Sequence, residues 1–282
     1  MKTLILPRYR ASGWLAFVLA LAIAFVMLFP IYWIVVSSFK SNAEIFRYPP
    51  TLFPEKPELS AYLASSDNGY SVARAFVNSC LIAIPSCLIS LFLGVTAGYG
   101  LARYRPKGER AFLMVFLVTQ MLPVSLILTP LFIIYKNIGI LNTFLAPILS
   151  TVTISIPFLV LTLRPYFMQM PHELEEAAAI DGCGRIKTFV RIFLPISVPG
   201  LVVAATFSFL FAWNDLIFSL TFISRQENRP LTAGIVNFLT QYGVLWNRIM
   251  AFGSIVVLPV IVLFTLLQRQ IVAGLTSGAL KE

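Results

Sequence analysis

The segment Glu173–Gly200 reads ELEEAAAIDGCGRIKTFVRIFLPISVPG and is the longest polar-rich helical stretch in an otherwise apolar chain. Acidic residues open it, where a helix dipole favours negative charge, and three alanines follow as strong helix formers. Gly182 and Gly184 then predict a break, because glycine commonly follows the last turn of a helix. The pattern predicts a short acidic helix and a glycine elbow.

A second helix is predicted beyond this elbow, from about Arg185 to Leu194, with Pro195 as its end. The apolar residues fall at i, i+3, i+4 and i+7, which is one helix face: Ile186, Phe189, Val190 and Phe193. Pro171 is placed at the first position of the acidic helix, where proline is well tolerated. We expect the second helix to be amphipathic and to lie on a surface.

The composition is that of a membrane protein. Of the 282 residues, 58% are hydrophobic and 12% are charged, whereas a soluble domain carries about 25% charged residues. The apolar residues are concentrated in runs of the roughly 20 residues that cross a bilayer. The net charge of +9 is explained by basic loops on the cytoplasmic side, so we expect lipid contacts and no nucleic-acid partner.

The fold class predicted from these runs is an all-α polytopic membrane protein with six transmembrane helices. The first run is too long for the core of a signal peptide, so we expect it to be retained. The chain is expected to form one transmembrane domain over 1–282, with these parts: spans at about 13–38, 72–101, 111–135, 143–167, 198–222 and 249–273, and a cytoplasmic loop at 168–197.

Glycines and prolines inside the spans predict local geometry. Gly94 and Gly98 have GxxxG spacing, which allows a second helix to approach closely, although such glycines are also ordinary in membrane helices. Pro123 and Pro130 interrupt the third span, and prolines kink helices. Six spans place both termini on one side. More than half of the 21 lysines and arginines fall on that side, which predicts cytoplasmic termini.

Several kinds of active site are excluded by the residues present. The chain has three cysteines and a single histidine, His172, so neither a disulfide framework nor a metal site is predicted. It contains no glycine-rich phosphate loop of the GxxxxGK[ST] type. The carboxylates of the acidic helix are expected in solvent, without the pocket that acid–base catalysis needs. If ATP drives this protein, another chain must hydrolyse it.

Motifs along most of the chain resemble the permease subunits of binding-protein-dependent ABC importers. Glu176-Ala177-Ala178, Asp181-Gly182, Phe189, Leu194-Pro195 and Pro199 resemble the EAA loop of that family; Tyr99–Arg103 (YGLAR), Gln120–Pro123, Gly139–Thr143 and Trp213–Asp215 resemble its conserved helix motifs. The tail Gly274–Lys281 resembles the ending GLTAGAVK of the carbohydrate branch. The departure is Cys183-Gly184, where the family usually has alanine and a small polar residue.

The resemblance implies a type I ABC importer permease, the smaller six-span subunit of a maltose-type system in the bacterial inner membrane. It implies pairing with a second permease, two copies of an ATPase subunit that bind ATP and Mg, and an extracytoplasmic solute-binding protein. The permease itself is then not an enzyme and binds no cofactor. The residues that would dock on the ATPase are Glu176, Ala177, Ala178, Asp181, Gly182, Phe189 and Pro195.

Candidate contacts with the transported sugar are polar or aromatic residues at membrane depth: Gln120, Trp213, Asn214 and Asp215. A charge there is costly unless it faces a cavity or a partner, and a structural hydrogen bond explains these residues equally well. Tyr242 and Trp246 are candidate contacts with the binding protein, or aromatic residues of the bilayer interface.

Two other classes of membrane protein compete with the importer subunit. A self-contained secondary transporter or channel would need intramembrane acids or an inverted repeat, and only Asp215 stands out. An integral-membrane enzyme would need clustered acids, histidines or a serine–lysine pair at membrane depth, which the sequence does not show.

Overall fold

The structure is a computed structural model that describes residues 10–63, 70–240 and 243–276. These ranges are mostly helical. The helices are α1 Arg10–Ser38, α2 Asn42–Ile45, α3 Ser60–Leu63, α4 Val72–Tyr104, α5 Glu109–Met121, α6 Val124–Asn137, α7 Leu145–Met168, α8 Glu173–Ile180, α9 Arg185–Thr188, α10 Leu194–Ile196, α11 Val198–Trp213, α12 Ile217–Phe222, α13 Leu231–Gly234 and α14 Trp246–Thr276.

The other elements of the described ranges are short. A π-helical turn, Phe189–Phe193, joins α9 to α10, and 3₁₀ turns occupy Gln226–Asn228 and Ile235–Phe238. One antiparallel ladder pairs β1 Leu239–Thr240 with β2 Gly243–Val244, and Leu239 lies opposite Val244. The expected all-helical class is confirmed, with this two-residue ladder as the one pair of strands in the described ranges.

Four helices are long and apolar enough to cross a membrane: Gly13–Ser38, Val72–Tyr104, Leu145–Met168 and Trp246–Gln270. Two bent pairs raise the number to as many as six if each pair is one span. One pair is α5 with α6, and the other runs from Arg185–Ile196 into α11. The described helices therefore agree with a polytopic helical membrane protein of six spans.

The third predicted span differs from a kinked helix. α5 and α6 are separate helices that meet at 101°. Leu122, between them, is extended with φ −74° and ψ 131°, because a residue that precedes proline is disfavoured in the helical region. Pro123 then opens α6. Pro130, which was also predicted to interrupt the span, lies inside α6.

The fifth predicted span, 198–222, is also interrupted. α11 ends at Trp213 and α12 begins at Ile217. The apolar character of the segment continues across this gap, so hydropathy alone did not reveal it. The cause is local hydrogen bonding by Asp215 at the start of α12.

The chain divides into two compact units, one of Met1–Ala64 with Phe238–Ser254 and one of Ser65–Asn237 with Ile255–Glu282. In the first unit, Lys40 is buried and donates to the carbonyl oxygen of Thr51. Its ammonium also lies 4.7 Å from the centre of the Trp33 ring, a cation–π distance. These contacts tie the segment after α1 back onto the end of that helix.

The second unit is built on the packing of α4 along α7. A Cβ atom at Gly94 would lie 2.6 Å from Cβ of Leu159, and one at Gly98 would lie 3.3 Å from Cβ of Leu163. Real Cβ atoms essentially never approach within 3.0 Å, so the contact depends on glycine at position 94, and the space at Gly98 is tight. The close approach predicted from the GxxxG spacing is confirmed, with α7 as the neighbouring helix.

Asn142 fastens the loop that follows α12 in this second unit. It has a left-handed backbone, φ 61°, and its side-chain oxygen accepts from the Ser224 N–H at 2.7 Å. Nearby, Asn78 on α4 donates to the carbonyls of Glu227 and Arg229 at 3.0 and 3.2 Å. This loop is therefore held by side chains from two directions.

Candidate functional site

The acidic helix predicted from the sequence is α8. It begins at Glu173, with His172 as its N-cap, so the prediction that Pro171 is its first residue is wrong. The carbonyl of His172 accepts from the N–H groups of Glu175 and Glu176, so the first turn begins two residues after Pro171. Glu173 is among the three acids of that first turn.

The glycine elbow follows α8 as predicted. Gly182 has φ +71°, a left-handed conformation that is strained for residues with a Cβ. The N–H of Cys183 donates to Ala178 at 2.8 Å and the N–H of Gly182 donates to Ala179 at 3.1 Å. This pair of bonds is the Schellman arrangement, which satisfies the last carbonyls of a helix.

The sequence predicted that the helix beyond the elbow ends at Pro195, but the helix does not end there. It continues to Ile196, and Pro195 lies in α10, directly after the π turn. The π turn before it carries a bond from the N–H of Leu194 to Phe189. A π turn holds an extra residue, so the positions that face the interior shift along the chain.

The predicted apolar face is not uniformly buried in this chain. Phe193 is fully buried, but Ile186 is 80% exposed and Val190 is exposed as well. The four apolar residues predicted to share one helix face therefore differ in burial within this chain. Together with Ile180, which is 87% exposed, Ile186 leaves large apolar side chains uncovered on either side of the elbow.

The residues predicted to dock on a partner fall into two groups. Five are exposed: Glu176, Ala177, Asp181 and Gly182 on α8 and the elbow, and Pro195 in α10. Ala178 is buried, so its small size serves packing inside the chain. Phe189 is half-buried, with its ring centre 4.5 Å from that of Tyr99.

Arg103, at the end of α4, holds α8 in place. Its Nε donates to Oε1 of Glu175 at 2.8 Å, and its side chain is only 1% exposed. It also donates to the carbonyls of Met170 and Pro171 at 2.9 and 3.2 Å. Neither Arg103 as an anchor nor Glu175 as its partner was predicted from the sequence. The available signal was an arginine that ends an apolar helix, because such a charge needs a partner when buried.

Two neighbouring cavities lie among α5, α6, α7, α11 and α12. One has a volume of about 560 Å³ and is lined by Gln120 among mainly apolar residues. The other, of about 360 Å³, is lined by Asn214 and Asp215. The cavities share three wall residues: Val124, Ile154 and Phe211. The structure thus brings three of the four candidate substrate residues to adjoining spaces.

These candidate residues differ in how far they are already bonded within the chain. Gln120 donates to the carbonyl of Ile154 at 3.0 Å and remains exposed. Asn214 is exposed. Trp213 is buried, lines neither cavity, and donates from Nε1 to the carbonyl of Val256 at 3.0 Å. Its position indicates a packing role.

Asp215 acts as a cap for α12. Oδ1 accepts from the N–H of Phe218 at 3.1 Å, while Oδ2 accepts from the N–H and hydroxyl of Ser219 at 2.8 and 2.7 Å. A carboxylate at this place satisfies N–H groups that a helix start leaves free. These bonds explain how α12 starts so soon after α11 ends.

The candidate contacts with a binding protein are only partly described. Tyr242 lies outside the described residues. Trp246 is 37% exposed at the start of α14, and its ring packs edge-on against Phe46 at 6.4 Å. The backbone N–H of Trp246 donates to Oδ1 of Asn42 at 2.9 Å. No group of three or more His, Cys, Asp or Glu side chains in the described part of the chain is placed to hold a metal.

Comparisons with known proteins point to one family. The family model described as "Binding-protein-dependent transport system inner membrane component" matches residues 90–277. The chain is 32% identical over 255 residues to the diacetylchitobiose uptake system permease protein DasC of Streptomyces coelicolor, which covers 90% of this chain and 92% of that protein. It is 34% identical over 255 residues to the sulfoquinovosyl glycerol transport system permease protein SmoH of Agrobacterium fabrum, which covers 90% and 89%.

A solved structure shares the fold. It is described as a bacterial ABC transporter involved in the import of the acidic polysaccharide alginate, and the similar chain aligns with a TM-score of 0.75 at 21% identity. The alignment covers 94% of this chain and 98% of that one.

Proposed function

This chain belongs to the family of inner membrane components of binding-protein-dependent transport systems, and from that premise we propose that it is the permease subunit of an ATP-driven sugar importer. Relatives named for diacetylchitobiose and sulfoquinovosyl glycerol support a carbohydrate or carbohydrate derivative as the substrate. The family membership favours this function over a self-contained secondary transporter or channel.

In the proposed complex, this chain pairs with a second permease and rests on two ATPase subunits, which bind ATP and Mg. A solute-binding protein delivers the sugar from outside the inner membrane. Both termini, α8 and the elbow face the cytoplasm, as the basic residues of the inner loops predict. The chain itself contributes the pathway and the docking surface and carries out no chemical step.

The observation that carries this proposal is the surface around the elbow. Ile180 and Ile186 are 87% and 80% exposed, although each is a large apolar side chain in a polar loop. Glu176 and Ala177 are exposed beside them on α8. An apolar patch rimmed by a carboxylate is typical of a protein interface. The proposed occupant is a groove of the ATPase subunit, in which α8 lies with Glu176 near a basic residue.

The proposed substrate pathway uses the two adjoining cavities. Gln120 and Asn214 offer amide groups to sugar hydroxyls, whereas Asp215 is already bonded to the start of α12. Trp246, and Tyr242 by the sequence, are proposed to contact the binding protein.

The docking test compares charge changes at two acids of α8. In the complete transporter in lipid vesicles, Glu176→Lys is expected to weaken binding of the ATPase subunit and to reduce sugar uptake by about tenfold or more, the scale of a lost charged hydrogen bond at an interface. Glu173→Lys makes the same charge change at an acid outside the proposed patch and is expected to keep both near wild type. Normal ATPase binding and uptake with Glu176→Lys would exclude the docking role.

A further inference from the structure

The side chain of Arg103 is a point where four elements of the second unit meet. From α4 it reaches Glu175 on α8 and the carbonyl of Met170 just after α7. Its guanidinium also lies 4.9 Å from the ring centre of Phe193 in the π turn. The Arg103 side chain is 1% exposed, so its guanidinium is buried, whereas the Glu175 side chain is 31% exposed.

The contacts of Arg103 with α8, α7 and the π turn form a joint between these elements. Tyr99, one turn earlier on α4, contacts the same elements. Its ring centre lies 4.5 Å from that of Phe189, 5.1 Å from that of Phe193 and 5.6 Å from that of Phe167. Its hydroxyl donates to Oε1 of Glu175 at 3.4 Å, the oxygen that also accepts from Arg103. Oε1 of Glu175 on α8 thus accepts hydrogen bonds from two side chains of α4, those of Tyr99 and Arg103.

The chemistry of arginine makes this joint stiff. A guanidinium is planar and donates in a fixed fork, so α8 cannot shift against α4 without disturbing several bonds together. A buried arginine that lost its carboxylate would also remain charged and unpaired, which is strongly unfavourable. Displacement of α8 is therefore expected to carry the adjoining ends of α4 and α7 with it.

We propose that Arg103 and Glu175 are positioning residues that transmit movement of α8 to α4 and α7. This inference rests on the proposed function of α8 as the docking helix, and it assigns binding and transmission to different side chains. The exposed Glu176 and Ile180 hold the ATPase, whereas the buried Arg103 delivers the resulting displacement to the membrane helices. The two roles are therefore separable by substitution.

The test uses the assembled transporter, with both permeases and the ATPase subunits, in lipid vesicles. Arg103→Lys keeps the charge but loses the fork, and Glu175→Gln keeps the shape but loses the charge. Both variants are expected to bind the ATPase subunit with wild-type affinity and to hydrolyse ATP. Sugar uptake per ATP hydrolysed is expected to fall by about tenfold, the scale of one lost charged hydrogen bond.

Controls separate this inference from the function on which it rests. Glu173→Gln changes a neighbouring acid of α8 that is exposed and is expected to leave all three measurements unchanged. Ile180→Asp alters the exposed patch and is expected to reduce ATPase affinity. If Ile180→Asp binds normally, the docking function fails, whatever the result for Arg103.

Three results would overturn the transmission role. Normal uptake per ATP in both variants would show that the joint carries no movement. A loss of ATPase affinity in step with uptake would show that the pair only shapes the docking surface. If Arg103→Lys does not assemble, Glu175→Gln decides the question, and failure of both to assemble would assign the pair a purely structural role.

Discussion

The backbone N–H of Cys183 donates to the carbonyl oxygen of Ala178 at 2.8 Å, which closes the turn that ends α8. Only the main chain of Cys183 takes part in this bond. The conformational demand falls instead on Gly182, with its φ of +71°. Cysteine at position 183, where the family usually has alanine, is therefore compatible with the same elbow. Either residue offers the same backbone N–H.

Substitution of Gly182 is expected to damage the elbow in a way that substitution of Gly184 does not. Gly182→Ala forces a Cβ into the left-handed region and is expected to cost about 1–2 kcal/mol. Gly182→Pro is expected to be worse, because proline fixes φ near −65° and removes the N–H bonded to Ala179. Both are expected to lower the thermal unfolding midpoint of the purified complex and to uncouple ATP hydrolysis from uptake.

Gly184 provides the matched control for this experiment. Its φ of −71° suits any residue, and a Cβ would meet no atom within 4 Å. Gly184→Ala is therefore expected to leave the midpoint and uptake near wild type. Equal effects of alanine at both glycines would show that backbone conformation is not what the elbow requires.

Gly94 is expected to tolerate no side chain. Gly94→Ala would place Cβ 2.6 Å from Cβ of Leu159, so α4 and α7 would have to separate. Overpacking of this kind costs about 1–3 kcal/mol, more than the roughly 1 kcal/mol that alanine gains over glycine in a helix. Thermal unfolding of the purified chain should show a lower midpoint for Gly94→Ala. Gly100→Ala, on the same helix with open space around it, should be neutral or stabilising.

Features governed by local rules were predictable from the sequence. The spacing of Gly94 and Gly98 predicts a close helix contact, and the conformational freedom of Gly182 predicts a helix end. A kink was expected at Pro123. The structure has a sharper bend of 101° between two separate helices, because Leu122 leaves the helical region.

Features that depend on distant parts of the chain were missed. The bond between Arg103 and Glu175 joins residues 72 positions apart, and no periodicity of either helix indicates it. The π turn was not predicted either, because the regular 3.6-residue period places Ile186 and Val190 on the same face as Phe193. The capping pattern of Asp215 and Ser219 was present in the sequence, but hydropathy treated the segment as one span.

Asp215 and Asn214 are expected to give opposite results although they are neighbours. Asp215→Ala removes the acceptor for two backbone N–H groups at the start of α12 and is expected to cost about 1–2 kcal/mol, as for other caps. Its effect should appear in the thermal unfolding midpoint, with the KM for sugar uptake unchanged. Asn214→Ala removes an exposed amide from the cavity wall and should raise KM with the midpoint unchanged.

The contrary pattern would reassign these two residues. A raised KM with an unchanged midpoint in Asp215→Ala would mean that the carboxylate contacts the sugar in spite of its bonds to Phe218 and Ser219. Gln120→Ala extends the comparison to the other cavity, and it should behave like Asn214→Ala if both amides face the same pathway.

Glu44 organises the segment after α1 through its carboxylate. Oε1 accepts from the N–H of Glu55 at 3.0 Å and from the hydroxyl of Thr51 at 2.8 Å. The bond from Glu55 holds the pKa of the Glu44 carboxyl below its usual value of about 4.3, although partial desolvation works in the opposite direction. The ionised carboxylate is thus the form that the folded segment prefers.

The sign of the resulting pH dependence follows from linkage. Because the folded pKa of Glu44 is depressed, its stabilisation is present above the unfolded value of about 4.3 and is lost as the pH falls through the folded pKa. Hydrogen exchange of the segment around Glu44 should be slower in the wild type than in Glu44→Gln at about pH 6, where the carboxylate is ionised, and the two rates should converge as the pH falls through the folded pKa. The ratio of the two rates cancels the intrinsic pH dependence of exchange. A ratio that stays constant over this range would show that the charge of Glu44, as distinct from the shape that glutamine preserves, does not hold the segment.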